Sequence, residues 1–204
     1  MIALPSDNIM FKMLFGNPKR AESIVLPLTG LHGRLKPVTP LLLPDDNPDK
    51  RSFETDLMFD LLNHADLTHR IAMISLDMQN KLHDYWGDRF AEYVWRMASR
   101  QLAKGAQWDK LVPAIAIVFA NSVAWPNSPE YIHSPFTMSN TEGLTLSSVC
   151  QVYVVELPKV PRDSCDVLDV WLLFIGSLSR LDVFSVFMKK LQIQNSSIVL
   201  KRYG

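Results

Sequence analysis

Residues 70–81 read RIAMISLDMQNK. An apolar run, Ile71 to Leu76, breaks off into an acid, a methionine and an amide, Asp77-Met78-Gln79. A strand that merely leaves a core usually ends in Gly, Asn or Pro. Earlier in the chain, SFETDLMFDLL (52–62) brings Glu54, Asp56 and Asp60 into a second strand-like stretch. Carboxylates gathered on one face of a sheet can hold a hard cation such as Mg²⁺ or Mn²⁺, and an amide two residues further on can orient a water.

Whether these groups meet depends on register. A symmetric hairpin with a four-residue loop, Ala65 to Thr68, sets His64 opposite His69. Asp60 then faces Met73, Met58 faces Ser75, Asp56 faces Asp77 and Glu54 faces Gln79. Side chains two apart share a face, so Glu54, Asp56, Asp77 and Gln79 cluster, with facing Cβ atoms roughly 4.5–5.5 Å apart. Opposed like charges destabilise a sheet. A divalent cation relieves them, and so would a shared proton or a nearby arginine. A slip of one residue sends Asp77 to the other face. The plainer alternative is a set of polar residues on the wet face of an antiparallel pair.

A second wall follows in DRFAEYVWRMASRQLAKGAQW (88–108). Arg89, Tyr93, Arg96, Arg100 and Lys104 recur at helical spacing, beside an apolar face of Phe90, Val94, Met97 and Ala98. Such a basic stripe suits a phosphate backbone, and it is also what a solvated helix face looks like. Residues 45–66 are acidic in turn, so the two segments could be walls of one site or two solvated surfaces.

The elements that must carry these residues are legible in outline. Ser6 or Asp7 can cap a first helix, Gly16-Asn17-Pro18 breaks it, and a second runs from Lys19 to about Leu28. Residues 31–50 read as a proline-containing loop. The hairpin strands cover 52–62 and 69–79, and the basic helix covers 83–104, stopped by Gly105. VPAIAIVFA (112–120) and SSVCQVYVVEL (147–157) read as buried strands, separated by an irregular excursion at 121–146. Residues 164–180 have helical spacing, and 181–191 read as a further helix. This order predicts an α/β fold with a mixed sheet. At 204 residues, 48% of them apolar, the chain is expected to form a single domain (1–204) with a helical C-terminal part from about 163.

Several classes are disfavoured. No segment reaches the apolar length of a membrane span, and the N-terminus lacks the pattern of a signal peptide. Cys150 and Cys165 share no motif, so a cytoplasmic location is expected. His32, His64, His69, His83 and His133 lack zinc-ligand spacing. Net charge is zero, so the overall field makes no case for nucleic acid.

The stretch DNIMFKMLFG, the strand ending in acid-x-Gln, the Arg89 to Lys104 segment and VYVVELPKV occur in an order that resembles the Rpn family, the recombination-promoting nucleases and transposases of the PD-(D/E)xK superfamily. The resemblance covers roughly residues 5–180. It implies a restriction-endonuclease-like fold, a mixed sheet flanked by helices, and metal-dependent cleavage of DNA in recombination or mobile elements. By position it implies Asp56 and Asp77 as ligands of Mg²⁺ (or Mn²⁺), Gln79 where many relatives have lysine, and Arg89 and Tyr93 on an Arg-x-x-x-Tyr helix. Two departures weaken the implied catalysis: Asp77 stands where the family usually has Glu, and Gln79 supplies no cation. Lys81 could substitute, or it could simply be a solvated lysine. Asp7 could be an outer ligand or a helix cap, and Glu22 could take the same outer role. The alternative reading is an inactive member that binds nucleic acid or protein. DNA is the expected partner, no membrane is involved, and a homodimer stays open.

Overall fold

A computed structural model of the chain describes residues 8–39 and 55–176. Helix α1 (Asn8–Phe15) and helix α2 (Pro18–Thr29) are separated at Gly16-Asn17, as the sequence predicts. Asn17 caps α2 by accepting from the Lys19 amide at 3.0 Å, Pro18 enters the first turn, and Gly30 ends the helix with φ 67°.

The expected loop at 31–50 is corrected in part, because strand β1 (Arg34–Val38) lies within it. Pro37 obscured it: proline has no amide to donate, and β1 is an edge strand, where that loss is tolerated. Strands β2 (Leu57–Leu62) and β3 (Arg70–Gln79) form the antiparallel hairpin. Asp60 faces Met73 and Met58 faces Ser75. Near the turn the register shifts, so that Leu62 faces Arg70 and the expected pairing of His64 with His69 does not form. Both histidines are exposed.

The basic helix is shorter than expected. Helix α3 spans Trp86–Ser99, with Arg100 as its C-cap, and Gly105 (φ 86°) belongs to a later turn. Strand β4 (Ala114–Ala120) follows. The excursion at 121–146 contains a missed strand, β5 (Ile132–Ser139), which pairs antiparallel with β6 (Thr145–Glu156). Its HSPFTMS sequence is polar and mostly exposed, so it lacks the apolar signature of a core strand. Helix α4 (Val167–Gly176) closes the described part, and the expected helix at 181–191 lies outside the described residues.

The described strands form one mixed sheet in the order β1-β2-β3-β4-β6-β5, with β3, β4 and β6 parallel. Strand β4 is buried at every position, as a central parallel strand covered on both faces must be. Alternate residues feed two cores. Ile74, Leu76, Met78, Ile117 and Phe119 pack with Phe11 and Phe15 of α1, Ile24 and Val25 of α2, and Leu172 of α4. Met73, Ala114, Ala116 and Val118 pack under Phe90, Tyr93, Val94 and Met97 of α3. The fold is α/β, a mixed sheet between helical layers, in keeping with a restriction-endonuclease-like core.

Candidate active site

Met73, Ser75 and Asp77 alternate on the face of β3 that α3 covers, and all are buried. Asp77 is 1% exposed although it is an acid. Its neighbour on β4 is Val118, which cannot hydrogen-bond its carboxylate.

Asp56 lies just before β2 and meets Asp77 through a reciprocal clasp. The Asp56 amide donates to Asp77 Oδ1 at 3.3 Å, and the Met78 amide donates to Asp56 Oδ2 at 2.9 Å. The clasp fixes both side chains and leaves one oxygen of each outside it. Asp56 Oδ1 lies 3.6 Å from Lys12 Nζ of α1. Asp77 Oδ2 is buried with no hydrogen-bond partner among the described residues. The Ser75 hydroxyl, two residues away on the same face, is likewise buried without a partner.

The electrostatics follow from this geometry. Burial, and then the charge of Asp56, pushes the Asp77 carboxyl up to about 7, against the opposing pull of the Asp56 amide, the nearby Ser75 hydroxyl and Arg89. Burial also raises Asp56, opposed by the Met78 amide, Lys12 and Arg89. From α3, Arg89 Nε donates to Tyr93 Oη at 2.8 Å, with the guanidinium 5.2 Å from the ring centre. Burial raises the Tyr93 hydroxyl, Arg89 lowers it, and the charges of Asp77 and Asp56 raise it further. One cation thus approaches the acids from each helical layer.

The other residues singled out in the sequence disperse. Gln79 is half-buried at the end of β3, on the face of Asp77 by strand parity. Lys81 is exposed beyond the strand end, on the rim of an open depression with Leu82, Asp84 and Val123. Tyr93 is buried beneath α3 and not displayed on its outer face. Arg96 is held by Glu92 at 2.6 Å. Arg100 and Lys104 fall beyond the last helical turn, so the five residues do not line one helix face. Asp7 and Glu54 lie outside the described residues. Asp60 pairs with Arg70 at 3.2 Å. Glu22 does not reach the site: it accepts from the Leu35 amide at 3.0 Å and pairs with Arg34, tying α2 to β1.

Two features escaped the sequence reading. One is Lys12, whose place in the sequence has no spacing that connects it to Asp56. The other is a buried charge cluster around Glu156, which ends β6 in the same strand row as Gln79 and Ala120. Glu156 pairs with Lys159 and with His133 Nε2, the latter at 2.8 Å, and accepts from the amides of Ala124 and Trp125. Lys159 donates further to the carbonyls of Trp125 and Ser128 at 2.6 and 2.9 Å. Burial alone would raise Glu156, but Lys159, His133 and the two amides together hold it below the usual carboxylate range. Its signal was available: VYVVELPK ends an apolar strand in an acid, as RIAMISLD does.

The clasped pair suits a hard divalent cation. Its donors are carboxylate oxygens, its buried orphan oxygen lacks a partner, and burial first, then the charge of Asp56, makes an ionised Asp77 costly without a cation. Asp56 and Asp77 would hold it, leaving further coordination places to water and phosphate. No cluster of three or more His, Cys, Asp or Glu occurs among the described residues, so a bound cation would be largely solvated on its open side. No helix among the described residues is long and apolar enough to cross a membrane. In comparisons with known proteins, the sequence model for PD-(D/E)XK nuclease family transposases matches residues 5–202. No curated protein and no solved structure matches the chain.

Proposed function

Since the chain belongs to the PD-(D/E)XK nuclease family transposases, we propose that it is a metal-dependent DNA endonuclease acting in recombination or in mobile elements. The whole chain would act as one nuclease-like domain. The observation that supports this reading best is the clasp of Asp56 and Asp77, with an unpartnered, buried Asp77 oxygen beside it. Nucleases of this superfamily generally use divalent metals, and Mg²⁺ or Mn²⁺ fits an all-oxygen donor set. The cation supplies Lewis acidity that phosphodiester hydrolysis requires.

The chain's own residues do the rest. The backbone clasp holds the carboxylates in place before substrate arrives, so little reorganisation is left for the reaction. Gln79, on the same face, orients the attacking water through its amide but is too weak a base to activate it alone. Arg89, fixed on Tyr93, offers charge to the phosphate as negative charge builds on its oxygens. Water adds to phosphorus, one P–O ester bond breaks, and a phosphate monoester and a sugar hydroxyl remain. Arg96, Arg100 and Lys104 contribute to holding the DNA backbone, with the salt dependence such contacts carry.

Nicking of supercoiled plasmid tests the reading. Wild-type protein should nick in Mg²⁺ or Mn²⁺ and stop in EDTA, and Asp77→Ala should abolish nicking while keeping the wild-type circular dichroism. Equal cleavage by the variant would sink the site assignment.

A further inference from the structure

Resting on that reading, we propose that Lys12 supplies from α1 the cation that β3 lacks at Gln79, and that its ammonium meets the phosphate undergoing hydrolysis. The position two residues beyond Asp77 carries an amide, so no positive charge comes from the strand itself. Lys81, the nearest lysine in sequence, is exposed past the strand end. Lys159 is committed to Glu156 and surrounding carbonyls. Lys12, in contrast, forms an ion pair with a site acid, 3.6 Å from Asp56 Oδ1.

Its setting suits the role. The residues on either side of its turn are locked: Phe11 and Phe15 are fully buried, with ring centres 5.1 Å apart, and Phe11 lies 5.6 Å from Phe119 of β4. The Lys12 carbonyl accepts from Gly16 at 2.8 Å, and a Cβ at Gly16 would come within 2.6 Å of that oxygen. The stem therefore rises from a fixed point, while the side chain is 37% exposed and its partner Asp56 is 11% exposed. An ammonium there is anchored, beside the acids, and partly exposed to solvent. Lysine also acts as a compact point charge with less directional demand than the planar guanidinium of Arg89. In the metal-free protein Lys12 partly neutralises Asp56. A cation held by Asp56 and Asp77 would repel the Lys12 ammonium and so favour its pairing with an anionic substrate instead.

The test separates this role from a merely structural one. Lys12→Met should bind Mn²⁺ at least as tightly as wild type by calorimetry, because a competing charge has gone. Its single-turnover cleavage in saturating Mn²⁺ should nonetheless fall about 100-fold, the scale of losing one positioned charge-stabilising group. Lys12→Arg should keep most of the rate, and adding Gln79→Lys to Lys12→Met should recover much of the loss by returning an ammonium from the strand. Wild-type cleavage by Lys12→Met would overturn the proposal and leave the nuclease reading intact. Loss of Mn²⁺ binding in Lys12→Met would also overturn it, since the lysine would then only organise the acids. Absence of cleavage by the wild type would overturn both.

Discussion

Asp77 combines full burial, a charged neighbour and an oxygen without a partner, and each makes its ionised form costly. The consequence for stability has a definite sign. Below about pH 4 the carboxyl is protonated in folded and unfolded chains alike. Between there and about 7 the unfolded chain has lost the proton and the folded one keeps it, so stability falls as pH rises, and the loss is complete above about 7. Asp56, raised in the same direction, adds to the slope. In EDTA, the melting temperature should therefore decline from pH 5 to pH 8, and Asp77→Asn should flatten that decline. Calorimetry across the range checks this, and a slope unchanged in the variant would refute the assignment. At this scale the sequence was informative for Asp56 and Asp77, because strand alternation and a short turn are local rules. It was silent on Lys12, which reaches Asp56 only once α1 has packed against the sheet.

The elements that frame the site end in charge. Strands β3 and β6 run parallel, flanking β4, and each finishes an apolar run with a carboxylate, Asp77 in one and Glu156 in the other. Their surroundings set them apart. Glu156 has Lys159, His133 and two backbone amides, which fasten the segment from Ala124 to Glu130 against the sheet end. Asp77 has one backbone amide and a buried oxygen without a partner. The first has its charge met on every side, and the second keeps that oxygen unpartnered, as the proposed cation site requires. Lys159→Met should accordingly destabilise the protein by about 3 kcal/mol, the scale of breaking a buried ion pair on one side. Urea denaturation measures it, and a cost below about 1 kcal/mol would show that the pair is not needed. Element boundaries were the least legible feature. Helix α3 stops at Ser99 and not at Lys104, although Arg100 and Lys104 continue the helical spacing. Strands β1 and β5 were missed because edge strands tolerate proline and polar residues.

Across the whole molecule, the two cores share the central strand β4, whose residues point alternately into each. Such sharing couples the layers, and we expect the chain to unfold as one domain. Phe119→Ala, on the face of α1 and α4, should cost about 3–5 kcal/mol, and Val118→Ala, on the face of α3, about 2 kcal/mol. Both should lower one and the same calorimetric transition, whereas two separable transitions would contradict it. The mixed sheet was foreseeable because the element order sets a hairpin before a helix and two further strands, which is not pure strand–helix alternation. The path of the chain across the top of the sheet was not, because it depends on contacts between distant segments. That same packing brings Lys12 and Arg89 from opposite layers to one acid pair. The central claim is that Asp56 and Asp77 hold a divalent cation. It is tested most directly by soaking crystals in Mn²⁺ and recording anomalous scattering. An anomalous peak between the Asp56 and Asp77 carboxylates is the expected result. Manganese bound elsewhere, with none between these carboxylates at saturating concentration, would contradict the account.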